Sequence, residues 1–258
     1  MIDIFGKILK AYLNGESLEY TIRRNDGGII DVFNTGIYFT NYSDWEDYEK
    51  EIISKYVRGK VLDVGADAGR HSIFLQDRGY DVHAIDISPS AIQLMKIRGI
   101  KNTYLMDLRK LDFPENYFNS VLIMFADLGL AGSIKDTKEL LKSLYKITTP
   151  EGRIITTLRD PYDISESKYF VHHAHPRKGA KFVDKIRARI EYNGDKGDWF
   201  YLLMASPQEL RRLITGTGWD IFNVIRGRDG FYGAVLEKSP LKKQAKKLLI
   251  WKSDKKHK

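Results

Sequence analysis

Short apolar runs alternate with helical patterns between residues 60 and 160, and this alternation restricts the fold more than any other feature of the sequence. Strands that alternate with helices pair in parallel, because each helix returns the chain to the edge at which the previous strand began. Five strands are predicted, at residues 60–64, 81–85, 102–106, 120–124 and 153–158. The sequence therefore predicts an α/β domain built on a parallel sheet.

Beyond the fifth strand the pattern changes to antiparallel hairpins. Residues 185–192 alternate between charged and apolar side chains, which is the period of a half-buried strand, and a polar turn leads to a partner strand over 199–204. A closing hairpin is predicted over residues 221–237. Together these elements predict a doubly wound, mostly parallel seven-stranded sheet of Rossmann-like type, with an added hairpin after the fifth strand.

Glycines and acidic residues follow the first three strands, at the edge where an open parallel sheet binds its ligand. Gly65 and Gly69 let the backbone turn sharply after the first strand and approach a ligand closely. Asp86 follows the second strand, 21 residues after Gly65. Asp107, with Leu108 next to it, follows the third strand, 21 residues after Asp86. A carboxylate at the second position can accept both hydroxyls of a ribose, and one at the third can accept an adenine amino proton.

The stretches VLDVGADAGRHS, HAIDIS and LMDLRKLDFPENYFNSVLIM resemble, in order and spacing, the class I S-adenosylmethionine-dependent methyltransferases. The resemblance covers roughly residues 35–238 and implies S-adenosylmethionine as cofactor and methyl transfer as the activity. In that family the glycine-rich motif holds the methionine part of the cofactor, and the two following acids hold the ribose and the adenine. The cofactor-binding residues that the resemblance implies are Gly65, Ala66, Asp67, Gly69, Asp86, Ile87, Asp107, Leu108 and Phe125.

Asp67 departs from the family pattern, because it stands where the family has the middle glycine of D-x-G-x-G-x-G. If the backbone there must be left-handed, aspartate tolerates that conformation better than most residues other than glycine. We hypothesise that its carboxylate accepts a hydrogen bond from the α-ammonium group of the cofactor.

The acceptor is expected above the ends of the fourth and fifth strands. An N-terminal helical cap over the cofactor is predicted at residues 1–50, and a methyltransferase domain at 51–238, whose inserted segment 161–204 forms a hairpin or substrate lid. Tyr38 could present an aromatic face to the sulfonium or simply pack the leading segment onto the sheet. Arg159 could hold a carboxylate or phosphate of the acceptor bidentately.

Candidates for catalysis are few, because alignment and desolvation can supply much of the acceleration of a methyl transfer. Asp160 and Tyr162 leave the fifth strand where polar groups would meet the acceptor. His173 lies in a His-His-Ala-His stretch and could act as a general base, or belong to a solvated loop. Adjacent histidines lack the i, i+4 spacing of common metal sites, so no metal is predicted.

A net charge of +8 would suggest nucleic-acid binding if it were spread over the chain, but it is concentrated at one end. A basic tail, residues 239–258, carries +7, and the other 238 residues carry only +1. The absence of cysteine excludes disulfides, thiolate metal sites and a cysteine nucleophile. No apolar run approaches the roughly 20 residues that span a bilayer, so we expect a cytoplasmic protein.

A small-molecule acceptor is favoured, and three alternatives stay open. The first is an RNA or protein methyltransferase that uses the basic tail, although such a tail could equally lie on a membrane or be a flexible end. The second is a scaffold that binds the cofactor without chemistry. The third is an NAD-binding Rossmann oxidoreductase, which the lack of G-x-G-x-x-G and of a second substrate domain disfavours.

Overall fold

The structure is a computed structural model that describes residues 3–16, 19–125, 127–163, 186–202 and 204–239, without the side chains of Asp127 and Ile186. The helices are α1 (Ile4–Leu13), α2 (Asp47–Tyr56), α3 (Arg70–Gln76), α4 (Pro89–Ile97), α5 (Ile134–Ile147) and α6 (Pro207–Ile214). The strands are β1 (Glu19–Arg24), β2 (Ile29–Asn34), β3 (Val61–Val64), β4 (Val82–Asp86), β5 (Asn102–Leu105), β6 (Phe118–Ile123), β7 (Thr148–Arg159), β8 (Ile186–Tyr192), β9 (Asp195–Lys196), β10 (Phe200–Leu202), β11 (Trp219–Arg226) and β12 (Phe231–Lys238). Short 3-10 turns cover Thr35–Phe39, Tyr42–Asp44 and Asp127–Ala131.

Seven strands form the central sheet in the order β11-β12-β7-β6-β3-β4-β5. The five strands from β3 to β7 pair with one another in parallel. Strand β12 is antiparallel to both β7 and β11. This arrangement confirms the predicted fold class, a doubly wound and mostly parallel seven-stranded sheet. The five parallel strands lie within a few residues of their predicted bounds, except that β7 begins at Thr148.

The central strands of the sheet are buried on both faces, which explains why they read as continuous apolar runs. Every residue of β3 is buried. The apolar face of α5 contributes Leu140, Leu141 and Leu144 to the largest core cluster, together with Trp219 of β11. Helix starts follow the capping residues: the side chains of Ser88, Ser133 and Ser206 accept from the backbone of α4, α5 and α6. Within the described ranges, no helix is both long and apolar enough to cross a bilayer.

A second, antiparallel sheet lies apart from the central one and has the order β10-β8-β1-β2, with β9 paired to β8. The hairpin expected after the fifth strand is present in it, since Ala188 of β8 pairs with Phe200 of β10.

The N-terminal segment differs from the expected helical cap, because β1 and β2 form a hairpin between α1 and α2. The alternation that predicts strands is present in the sequence: Tyr20 and Ile22 join inner clusters, whereas Arg23 lies toward solvent. A turn at Gly27, with φ of +90°, joins the two strands. Tertiary pairing with β8 stabilises this hairpin, and no local pattern reveals that partner.

Helix α1 packs closely on the start of α4. The Asp3 carboxylate caps α1 by accepting from the backbone N of Gly6 at 2.9 Å, and its other oxygen accepts from the Ser88 hydroxyl at 2.9 Å. Burial raises the pKa of Asp3, but these hydrogen bonds outweigh it and hold the pKa below its usual value. Gly6 has no side chain at the contact, and a Cβ there would overlap Ser90 and come within 2.6 Å of Ser88 Oγ.

We expect Gly6→Ala to lower the free energy of unfolding by about 1–3 kcal/mol, because forcing a methyl group into a closed contact costs this much. The better helix propensity of alanine offsets only part of that loss. Lys10→Ala, on the exposed side of the same helix, is the matched control and should leave stability nearly unchanged. Denaturant unfolding measures both variants, and an unchanged Gly6→Ala midpoint would show that α1 can shift away from α4.

Candidate functional site

The carboxyl ends of the five parallel strands meet at one edge of the sheet, and the glycine-rich loop lies there between β3 and α3. Gly65 and Gly69 have φ of +69° and +77°. Asp67 also has a left-handed backbone, with φ of +53°, so it adopts the conformation that favours glycine in the family pattern. A Cβ on Gly69 would collide with Ile100, which shows how tightly the loop packs on the neighbouring layer.

Asp86 ends β4 directly beside this loop, and its side chain is 7% exposed. One carboxylate oxygen accepts from the backbone N of Asp67 at 3.0 Å, and the other accepts from the backbone N of Ser88 at 2.8 Å. Burial raises the pKa of Asp86 to about 6, although both hydrogen bonds act in the opposite direction. The backbone of Ile87 also interacts with this carboxylate, which keeps the capacity to accept a hydroxyl group. The next residue, Ile87, is 56% exposed and offers an apolar surface at the same edge.

Asp107 follows β5 at the same edge, as the sequence predicts, but its carboxylate already has a partner. Arg109 donates to both carboxylate oxygens through Nε, at 2.9 and 3.1 Å. These bonds hold the pKa of Asp107 below its usual value. Leu108 packs against the main core. The assignment of Asp107 and Leu108 to an adenine ring therefore stays a prediction.

A buried ionic cluster of Glu49, Arg70 and His71 connects the N-terminal segment to the glycine-rich loop. The Glu49 carboxylate pairs with the Arg70 guanidinium and lies 2.7 Å from His71 Nε2. Arg70 also donates to Thr40 Oγ1 at 2.6 Å and to the Ile37 carbonyl at 3.1 Å. Burial alone would raise the pKa of Glu49, but His71 and Arg70 outweigh it and the pKa is lowered.

The sequence analysis missed this cluster, although one signal for it exists. Glu49 precedes Ile52 and Ile53 by three and four residues, so it lies on the buried face of α2. An acid on an apolar helix face needs a buried partner, and Arg70 and His71 immediately follow the glycine-rich loop.

Phe125 lies just past the end of β6 and is surrounded by aromatic and cationic groups. Its ring contacts that of Tyr38 edge to face at 5.5 Å, and the Arg70 guanidinium lies 4.4 Å from its centroid. Tyr38 is buried, and its hydroxyl lies 2.5 Å from that of Tyr20. Two residues predicted for the site, Tyr38 and Phe125, are thus brought into contact. The contacts of Tyr38 are those of a packing residue, and its role toward a sulfonium stays a prediction.

On the acceptor side, Arg159 is engaged within the protein. Its Nη1 lies 3.1 Å from a carboxylate oxygen of Asp31, its Nε donates to the Asp229 carbonyl at 3.2 Å, and its guanidinium covers the ring of Phe231. An acidic acceptor would have to compete with Asp31 for this arginine. The bidentate role predicted for Arg159 is therefore not evident in its contacts.

Asp160 and Tyr162 lie together at the end of β7. The Asp160 carboxylate accepts from the backbone N of Tyr162 at 3.0 Å, and the Tyr162 hydroxyl donates to Glu209 at 3.0 Å. His173 lies outside the described residues, as do most of the predicted lid and the basic tail. Among the residues that the structure does describe, no three histidine or acidic side chains converge as a metal site would require.

Comparison with known proteins relates this arrangement of residues to a protein family. Residues 61–152, from β3 into β7, match the family model described as a methyltransferase domain. This range holds the glycine-rich loop, Asp86, Asp107 and Phe125, in the order that the resemblance requires. Residues 61–152 therefore form a methyltransferase domain, and the chain is similar to the class I methyltransferases.

Curated relatives of this methyltransferase chain are distant. YqeM of Bacillus subtilis, whose own assignment as a methyltransferase is provisional, is 22% identical over 54% of this chain. A malonyl-[acyl-carrier protein] O-methyltransferase of Halorhodospira halophila is 25% identical over 62% of the chain. The chain spans 57% of the length of each of these two proteins. A glycine/sarcosine N-methyltransferase of Halorhodospira halochloris is 22% identical over 74% of this chain and 77% of its own.

A solved structure matches nearly the whole methyltransferase chain in fold. It is a SAM-dependent methyltransferase from Bacteroides fragilis, in complex with S-adenosyl-L-homocysteine. The TM-score is 0.75 at 23% identity, covering 92% of this chain and 95% of the other. The shared fold therefore extends over most of both chains.

We expect Glu49→Gln to lower the free energy of unfolding by about 3–5 kcal/mol, because it leaves the buried Arg70 guanidinium without its carboxylate. Since the pKa of Glu49 is lowered in the folded protein, this stabilisation is present above the unfolded glutamate pKa of about 4.3 and is lost on acidification. The variant should therefore also lose part of its acid dependence.

Glu51→Gln is the matched control, since Glu51 lies on the same helix in an exposed pair with Lys55. This variant should unfold almost like the parent, because exposed ion pairs contribute little. Urea unfolding at pH 7 and pH 4 measures both proteins. If both variants behave alike, the buried cluster does not hold the N-terminal segment in place.

Proposed function

We propose that this protein transfers a methyl group from S-adenosylmethionine to a small-molecule acceptor. The observation that carries the proposal is the buried Asp86 carboxylate, which is hydrogen-bonded to the left-handed loop and keeps the capacity to accept a ribose hydroxyl. A ribose at this point would have the glycine-rich loop on one side and the exposed Ile87 on the other. This arrangement fits a nucleoside with an amino-acid chain.

In this proposal, different residues at the edge bind different parts of the cofactor. Gly65, Ala66, Asp67 and Gly69 would hold the methionine part, with the Asp67 carboxylate toward the α-ammonium group. Asp86 would hold the ribose, and Ile87, Asp107 and Leu108 the adenine. When bound, the cofactor supplies a methyl group activated by a sulfonium. Phe125 and Tyr38 would place aromatic rings beside that positive charge, which rings attract.

The acceptor side is formed by the ends of β6 and β7. We assign its cover to the N-terminal segment, residues 1–50, and to the insertion at 161–204. Arg159, Asp160, Tyr162 and His173 are the candidates for contacting the acceptor. In this scheme the chain need only align the acceptor and exclude water, since an in-line displacement depends strongly on orientation.

A small molecule is the acceptor that the relatives support. One acts, by its name, on glycine and sarcosine, and another belongs to ubiquinone and menaquinone biosynthesis. Outside residues 239–258 the chain is almost neutral, so that part has no net charge that favours a polyanion.

The test of the cofactor is calorimetry with S-adenosylhomocysteine and with NAD. We expect S-adenosylhomocysteine to bind with micromolar affinity, about −8 kcal/mol, and NAD not to bind. NAD binding without S-adenosylhomocysteine binding would contradict the proposal. Release of S-adenosylhomocysteine from S-adenosylmethionine in a mixture of small metabolites then separates an enzyme from a scaffold.

Asp86 also predicts a pH dependence. Ribose hydroxyls donate to the charged carboxylate, so a protonated Asp86 must lose its proton before the nucleoside binds fully. Because burial raises the pKa of Asp86 to about 6, the affinity should fall as the pH drops below that value. The loss between pH 7.5 and pH 5 should reach about tenfold, the ratio of protonated to charged carboxyl one unit below the pKa.

Asp86→Asn should remove this pH dependence and weaken binding at pH 7.5 by about 1–3 kcal/mol. Asp81→Asn, at the opposite end of the same strand region, is the control and should keep the parent profile. A parent affinity that does not change between pH 7.5 and pH 5 would place the ribose away from Asp86.

A further inference from the structure

Two buried carboxylates lie close together on the acceptor side of the edge. Asp160 directly follows β7 and is 6% exposed, and Glu209 in the first turn of α6 is 5% exposed. Tyr162 connects them, because its backbone N donates to Asp160 and its hydroxyl donates to Glu209, each at 3.0 Å. Tyr232 lies beneath them, fully buried, and both carboxylates together with burial raise its pKa.

The hydrogen-bond donors to these carboxylates are neutral. Glu209 accepts its remaining bonds from the backbone N and hydroxyl of Ser206, at 2.8 and 2.9 Å. The nearest cation is Arg226, whose Nη1 lies 3.9 Å from Asp160 Oδ2 and only 3.0 Å from the exposed Asp163. Within the described part of the chain, no other cation comes within ion-pair distance of either buried carboxylate. A pair of buried charges of like sign is costly unless a positive charge accompanies it.

Asp160 has an acceptor atom to spare. Its Oδ1 is used by Tyr162, whereas no donor among the described residues forms a hydrogen bond to Oδ2. Burial raises the pKa of Asp160, with smaller contributions from Asp163 and Glu209, although the Tyr162 hydrogen bond and Arg226 act in the opposite direction. This group can therefore take a proton more readily than an exposed aspartate.

The position of Asp160 suits the acceptor. Strand β7 is the parallel neighbour of β6, and Ile123 pairs with Thr156, so the ends of both strands reach the same edge. Phe125, which we assign to the sulfonium, follows β6 at that edge. A ligand at Asp160 would therefore lie at the same edge of the sheet as the methyl donor.

We propose that the acceptor is an amine, whose ammonium group is bound between Asp160 and Glu209 and whose proton is taken by Asp160. The inference rests on the proposed methyltransferase function and names its substrate class. An ammonium group supplies a donor for Asp160 Oδ2 and a second positive charge beside Arg226 for the two carboxylates. A divalent metal fits less well, because the described residues offer no third ligand at this point.

Asp160 accepts the proton that the amine loses in the reaction. One N–H proton of the ammonium moves to the Asp160 carboxylate, which frees the nitrogen lone pair. The nitrogen then bonds to the methyl carbon, and the carbon–sulfur bond breaks with its electron pair remaining on sulfur. The product leaves as a methylated ammonium ion, and Asp160 releases its proton to water. Asp160 thus acts as general base, and Glu209 holds the positive charge in place.

The experiment measures recognition of the cation in the protein saturated with S-adenosylhomocysteine. Methylamine and benzylamine are titrated by calorimetry, each beside its alcohol, methanol or benzyl alcohol, which has nearly the same shape but no charge. We expect at least one amine to bind tenfold or more tightly than its alcohol. Asp160→Asn keeps an acceptor for the Tyr162 backbone N and should reduce this preference to less than twofold.

Asp77→Asn is the control, since Asp77 is an exposed aspartate at the C-terminal end of α3. It should keep the parent preference. Equal binding of amines and alcohols, binding of neither, or an unchanged preference in Asp160→Asn would overturn the proposal. Failure to bind S-adenosylhomocysteine would instead contradict the methyltransferase function itself, so the two failures are distinguishable.

Discussion

The hydrogen bond between the backbone N of Asp67 and the Asp86 carboxylate is the contact on which the site depends. It joins the loop after β3 to the end of β4, so the two strand ends to which we assign the nucleoside are fixed relative to each other. The bond requires the left-handed turn at Asp67 and the burial of Asp86, and each of these is unfavourable by itself. Energetically costly features of this kind concentrate at functional sites.

The cost of burying a charge and the way it is offset distinguish two buried charge clusters. Glu49 is matched by Arg70 and His71, and this cluster anchors the N-terminal segment to the start of α3. Asp160 and Glu209 have neutral hydrogen-bond donors, and the one arginine near them, Arg226, lies closer to Asp163 than to Asp160. The first cluster contains its own counter-charges, whereas the second is the place to which we assign a positively charged ligand.

The sequence alone predicted the central sheet well, because strands buried on both faces and helices with capping serines have strong local patterns. Asp86 and Asp107 were found because strand ends are predictable from those patterns. The hairpin of β1 and β2 was missed, since its stability depends on β8, more than 150 residues further along. Glu49 was missed for a related reason: its partners Arg70 and His71 lie 21 and 22 residues away. The pairing of Asp107 with Arg109 and of Arg159 with Asp31 also depends on side-chain conformation, which residue types do not determine.

The second sheet has a consequence for the order of folding. Strand β1 pairs with β8, so a segment near residue 20 meets its partner only when residues 186–192 are available. Contacts between such distant segments form late, because a long loop must close first. The parallel strands β3 to β7 need nothing from either terminus to pair with one another. During synthesis the edge with the glycine-rich loop can therefore form before the second sheet. The N-terminal hairpin is synthesised first, but its sheet is completed among the last.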